Sequence, residues 1–237
     1  MSLPGNLCGR TIDHVARTLG LETSLDRQLS SALDGSDVGV HRVLEGIDAR
    51  VVYVSMTVEA FGLDSHMMFA FTGRHSAVPH FTLDSVHAGQ HYAFHLDLIP
   101  RVDPGANLAY LDHCFVPLTE AHDDALELEG LTPAHLSPRQ WQLMSAWMLA
   151  HRADADAFAS IDATVDAYRD HWLSLVAEGV PVSAMAGVTD AQLEARDRAN
   201  RGSIFNPDVD PVWAQVDRLL GVEVSAEIQA SLIDEGN

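Results

Sequence analysis

Between Val51 and Leu98 the chain alternates apolar and polar residues through four successive segments, roughly 51–59, 65–72, 78–86 and 90–98. A period of two is the mark of a β-strand whose two faces meet different surroundings. Four such segments joined by short connections predict an antiparallel sheet. One parity carries Val52, Val54, Met56 and Val58, then Met67, Phe69 and Phe71, then Phe81 and Leu83, then Tyr92, Phe94, Leu96 and Leu98. Set side by side, these residues form one broad apolar face that helices must cover.

The other parity carries Tyr53, Ser55, Thr57 and Glu59, then His66, Met68, Ala70 and Thr72, then His80, Thr82 and Asp84, then His91, Ala93, His95 and Asp97. A solvent face is normally rich in long charged side chains. Here histidines, aspartates and alanines stand in their place. Small residues leave room and His and Asp supply chemistry, so this parity reads as a pocket floor. A four-residue turn at His87-Ala-Gly-Gln90 would set Asp84 opposite Ala93, Thr82 opposite His95 and His80 opposite Asp97. Opposed side chains lie ~5 Å apart. On that register His80 and Asp97 form an ion pair and Asp84 projects into open space.

Apolar positions at Ile12, Val15 and Leu19, then Leu25, Leu29 and Leu33, read as helical over about 8–34. Residues about 106–235 read as helices between loops, with Thr132-Pro and Ser137-Pro as helix starts. No repeat or linker divides the chain. The expected fold is α+β, an α/β/α sandwich in one domain over residues 1–237. It comprises N-terminal helices at about 8–34, a central antiparallel sheet at about 38–100 and C-terminal helices at about 106–235.

All fourteen basic residues are arginine. Without lysine the chain cannot be a pyridoxal-phosphate enzyme, an imine-forming aldolase, a Walker-type phosphate binder or a protein kinase in their usual forms. The net charge of −20 argues against nucleic acid as a partner. No apolar run is long enough for a membrane helix, and the N-terminus has no secretory pattern. Together with two lone cysteines, this predicts a cytoplasmic protein without disulfides.

His87, His91 and His95 recur every four residues, but four residues on a strand span ~13 Å, too far to share one ion. No metal is expected. There is no GxGxxG and no GxSxG. Cys114 and the four tryptophans read as packed residues. The run Arg196-Asp-Arg-Ala-Asn-Arg201 places Arg198 and Arg201 on one helical face. It is either a solvated helix surface or a site for ligand carboxylates.

The stretch Val78-Pro-His-Phe-Thr-Leu-Asp84, a glycine turn, and Phe94-His-Leu-Asp-Leu-Ile-Pro-Arg101 resembles the ferredoxin-dependent bilin reductases, and most closely the red chlorophyll catabolite reductase branch. Arg196-Asp-Arg-Ala-Asn-Arg-Gly-Ser and Val216-Asp-Arg-Leu-Leu-Gly221-Val-Glu-Val resemble the closing helices of that family. The resemblance implies a linear tetrapyrrole held between the sheet and the C-terminal helices. It implies electrons delivered singly by reduced ferredoxin, with no bound metal or flavin, and protons given by pocket side chains. On this resemblance Asp84, His66 and Asp197 are the catalytic candidates. His80, His91, His95, Asp97, Arg198 and Arg201 are the substrate-binding candidates.

Three readings follow. The first is a reductase of a bilin-like or chlorophyll-catabolite-like ligand, with Asp84 as proton donor. The second is a binding protein for a tetrapyrrole or another hydrophobic metabolite in the same pocket. The third is an enzyme of changed reaction on the same fold. A ferredoxin partner must contend with the charge of −20, and a homodimer is open. Protein purified without added metal is expected to carry no stoichiometric zinc or iron by elemental analysis.

Overall fold

The computed structural model describes residues 2–185 and 187–234. Helix α1 (Leu3–Leu19) is capped at its start by Ser2, whose hydroxyl accepts the Gly5 N–H at 3.1 Å. It ends at Gly20, which takes a left-handed conformation (φ 61°) that a side chain would resist. The chain then turns into strand β1 (Glu22–Ser30), which pairs with β2 (Asp37–Glu45). The expected helix through residue 34 therefore stops at Leu19. Leu25 and Leu29 suit a strand as well as a helix, and pairing with β2 decides between them.

The sheet continues through β3 (Ala49–Val58), β4 (Leu63–Thr72), β5 (His80–Ala88) and β6 (His91–Ile99), close to the four segments that alternation marks. Helices α2 (Leu108–Cys114) and α3 (Thr119–Leu126) follow. Two more strands lie inside the region expected to be helical, β7 (Leu131–Pro133) and β8 (Leu149–Ala153). Thr132-Pro thus sits in a strand. Ser137-Pro does open a helix, α4 (Pro138–Leu143), with a reciprocal capping box to Gln140. The chain closes with α5 (Ala155–Ser160), α6 (Asp162–Glu178), α7 (Asp190–Ile204), α8 (Trp213–Leu220) and α9 (Val222–Ile233).

The eight strands form one antiparallel sheet in the order β1-β2-β3-β4-β5-β6-β8-β7. Helices α1, α2 and α6 cover one face, and α7, α8 and α9 cover the other. This is the α/β/α sandwich that strands followed by helices imply.

The faces themselves differ from the expectation in one decisive respect. Across β4 and β5, Phe69 lies opposite Thr82, Met67 opposite Asp84 and Met68 opposite Leu83. The apolar parity of β3 and β4 therefore shares a face with the polar parity of β5 and β6. Val52, Val54, Phe69 and Phe71 pack toward α7–α9 beside His80, Asp84, His95 and Asp97. Phe81, Leu83, Leu96 and Leu98 pack toward α1 and α6 beside Tyr53 and His66. Alternation within a strand cannot carry parity across residues 73–79, the connection between β4 and β5. A one-residue change of register exchanges every side chain between faces.

The β5–β6 turn is also tighter than expected. Ala88 lies opposite His91, so only Gly89 and Gln90 make the turn, with Gly89 at φ 64° as a two-residue hairpin requires. This shortens the loop by two residues and shifts every partner by two. Asp84 faces His95, Thr82 faces Asp97, and His80 faces Ile99. The His80–Asp97 pair does not form.

Phe81 is fully buried and lies 5.9 Å from the Trp172 ring. Phe81→Ala should lower the unfolding free energy by about 3–5 kcal/mol through lost burial and a residual cavity, read as a shifted urea midpoint.

Candidate functional site

Between the sheet and the C-terminal helices lies a cavity of about 350 Å³. Val54, Met67 and Phe69 from β3 and β4 form one part of its floor, and Asp84, Ala93 and His95 from β5 and β6 form another. Met144 and Leu143 of the α4 region wall one side, and Phe205 and Trp213 close it from above. The lining is mostly apolar with a few polar groups, the usual make-up of a small-molecule site.

Asp84 and His95 are direct cross-strand partners, with His95 Nδ1 3.7 Å from Asp84 Oδ2. Both are partly buried. Asp84 Oδ1 and His95 Nε2 lie buried without a hydrogen-bond partner among the described residues, so each can still receive a ligand group. Burial disfavours charge on His95, but the Asp84 carboxylate and the charges of Asp97 and Asp210 outweigh it and raise its pKa. Asp210, in the segment between α7 and α8, also lines the cavity. Its own pKa is raised, mainly by burial and further by the charge of Asp84.

The remaining candidates fall elsewhere. His66 lies on the opposite face of the sheet, where it meets Tyr53 Oη at 2.7 Å and Asp64 at 3.0 Å beneath α1. It therefore cannot act beside Asp84. His91 is exposed at the hairpin end of β6. Asp97 is fully buried and accepts two hydrogen bonds from Ser145. Arg198 is exposed on α7 and does not line the cavity.

His80, Asp197 and Arg201 form a separate buried cluster that ties α7 to the sheet. His80 Nε2 meets Asp197 Oδ1 at 2.6 Å, while Arg201 Nε and Arg101 Nη2 lie 3.1 and 3.5 Å from Asp197 Oδ2. The Arg201 guanidinium also lies 3.9 Å above the Phe71 ring. His80 Nδ1 accepts the Thr72 N–H at 3.1 Å, so the neutral ring must donate from Nε2 to Asp197. A second proton would face that N–H. Burial, together with the two arginines, overrides Asp197 and depresses the His80 pKa to about 4. Asp197 is held below the usual carboxylate range: burial opposes its charge, but the His80 hydrogen bond and the two arginines prevail. The cluster is engaged in fixing the helix layer, and none of its side chains lines the cavity.

Asp210 is the acidic group that sequence reasoning missed. Its signal is local: Asn206-Pro-Asp-Val-Asp210-Pro punctuates the helical region, and such loops are where functional side chains concentrate. Among the described residues, no group of three or more His, Cys, Asp or Glu side chains is placed to hold a metal ion. No described helix is long and apolar enough to cross a membrane.

The molecule is thus an antiparallel α/β/α sandwich with a cavity between its sheet and its C-terminal helices. This fold is that of a solved plant protein, phytochromobilin synthase from tomato, crystallised in complex with biliverdin. The TM-score is 0.75 at 14% identity, covering 98% of this chain and 84% of the tomato chain. No family model matches the sequence, and no curated protein matches it.

The His80 geometry gives a pH dependence of known sign. Its folded pKa of about 4 lies below the unfolded value of 6.5, so the unfolded state binds more protons between them. Stability should fall as pH drops through that window, by roughly 3 kcal/mol for this one buried group. Urea midpoints at pH 7.5 and 4.5 measure it, and His80→Gln should flatten the difference.

Proposed function

We propose that the cavity holds a linear tetrapyrrole and that the protein reduces it. The observation that carries this reading is the Asp84–His95 pair, set with Asp84 Oδ1 and His95 Nε2 unpartnered on the floor of an otherwise apolar cavity. Apolar walls suit a conjugated ring system. Pyrrole N–H groups are donors, and a carboxylate such as Asp84 is the acceptor that answers them. The described lining contains no arginine, so the ligand's carboxylates belong at or beyond the mouth rather than inside. The expectation that Arg198 and Arg201 bind them has no support in the cavity. The shared fold with a biliverdin complex supports the same ligand class.

Reducing one double bond of such a ligand adds two electrons and two protons. In this reading the electrons come singly from reduced ferredoxin. The Asp84–His95 pair supplies the first proton. Asp210, which lines the same cavity, supplies the second. The net charge of −20 favours a second reading, since it opposes encounter with an acidic electron donor. In that reading the cavity binds the tetrapyrrole without reducing it.

Mixing the purified protein with biliverdin should shift and intensify the visible absorption band. Adding reduced ferredoxin should bleach or displace that band if the protein is a reductase, and leave it unchanged if it only binds. Asp84→Asn should keep binding and lose turnover by ~10²–10⁴-fold at saturating ligand, because an amide neither carries a transferable proton nor favours one on His95. Near-normal turnover in a well-folded Asp84→Asn protein would remove Asp84 from the chemistry, and absence of any spectral shift would remove the tetrapyrrole.

A further inference from the structure

Asp97 is wholly buried on β6, where a carboxylate is costly unless donors meet it. Ser145, at the end of the α4 segment, provides two. Its N–H meets Asp97 Oδ2 at 2.9 Å and its hydroxyl meets Asp97 Oδ1 at 2.5 Å. The same hydroxyl accepts the Trp147 N–H at 3.0 Å, so its donating and accepting roles are both fixed. Ser145 lies between two residues that line the cavity, Met144 and Met148. The segment then enters β8, where Ala150 lines the cavity directly opposite His95.

Asp97 also stands two residues along β6 from His95, on the same face of the strand. The titratable groups acting on His95 are Asp84 from β5, Asp97 from β6 and Asp210 from the segment before α8. Burial raises the pKa of Asp97 itself, opposed by the charge of His95 and the two Ser145 hydrogen bonds, and across the layer Asp97 acts on Tyr168 of α6.

We infer that Asp97 is a positioning residue for the cavity: through Ser145 it clamps the wall of residues 137–148 to the sheet, and from two residues along β6, on the same face, its carboxylate favours positive charge on His95. One buried side chain thereby acts on both the wall of the cavity and the imidazole on its floor. The inference requires that the cavity be the functional site. It does not depend on which ligand the cavity takes.

Two variants of the full chain, studied without ligand, separate the two roles. In Asp97→Asn the carboxylate charge is gone, and the His95 titration midpoint, followed by NMR of the ring Cε1–H and assigned with His95→Gln, should fall by at least about half a unit. Amide exchange at residues 144–148 should rise about tenfold as the clamp weakens. In Ser145→Ala the charge remains but the hydroxyl is lost. Exchange at 144–148 should again rise, while the His95 midpoint should not fall. An unchanged His95 midpoint in folded Asp97→Asn protein, or unchanged exchange at 144–148 in Ser145→Ala, overturns the inference. If Asp97→Asn does not fold, the exchange of Ser145→Ala alone decides the clamp. Because neither measurement uses biliverdin, a failed tetrapyrrole reading and a failed positioning role remain distinguishable.

Discussion

The pairing of β4 with β5 sets Met67 opposite Asp84 and His66 opposite Ser85, and the site depends on it. A slip of β5 and β6 by one residue would carry Asp84 and His95 to the face beneath α1 and α6, among Tyr53, Met68 and Trp172. The alternative is costly on both sides of the sheet. It would bury two polar groups in the apolar layer and expose Phe81 and Leu83 to a cavity shaped for other side chains. Burial of Phe81 against Trp172 on one face, and the His80–Asp197 bond on the other, hold β5 in its observed parity.

Three aspartates then meet three fates through their neighbours alone. Asp197 is surrounded by His80, Arg101 and Arg201 and serves as a fixed anion joining α7 to the sheet. Asp97 finds Ser145 and ties down a loop. Asp84 finds His95 and an open cavity, and retains an oxygen for something else. Breaking the Asp197 cluster would strand buried charges, whereas Asp84 sits where a partner can still arrive. That difference separates the carboxylates fixed by their partners from the one open to a ligand better than burial does.

The fold common to this chain and tomato phytochromobilin synthase survives at 14% identity. What such distant sequences can share is the order of strand and helix patterns and the coverage of both sheet faces. Those constraints are satisfied by many residue choices, since a core tolerates substitution when volume and pattern are kept. Function lives in a few side chains grafted on that frame. Here the polar groups Asp84, His95 and Asp210 are brought to one cavity from two adjacent strands and a loop more than a hundred residues downstream in sequence.

The sandwich and its central strands β3–β6 were legible in the sequence, because a period of two within a strand is a local property. The absence of lysine likewise excluded whole reaction classes without any structure. Strand β1 was hidden because Leu25 and Leu29 satisfy either period, and β7 and β8 because both are short. The placement of His66 away from Asp84, the exchange of His80's partner from Asp97 to Asp197, and the arrival of Asp210 in the cavity were decided by tertiary structure. Each depends on register across a connection or on contact between distant segments. Such choices are made by the burial and hydrogen bonding of the whole assembly, and no local pattern of residues records them.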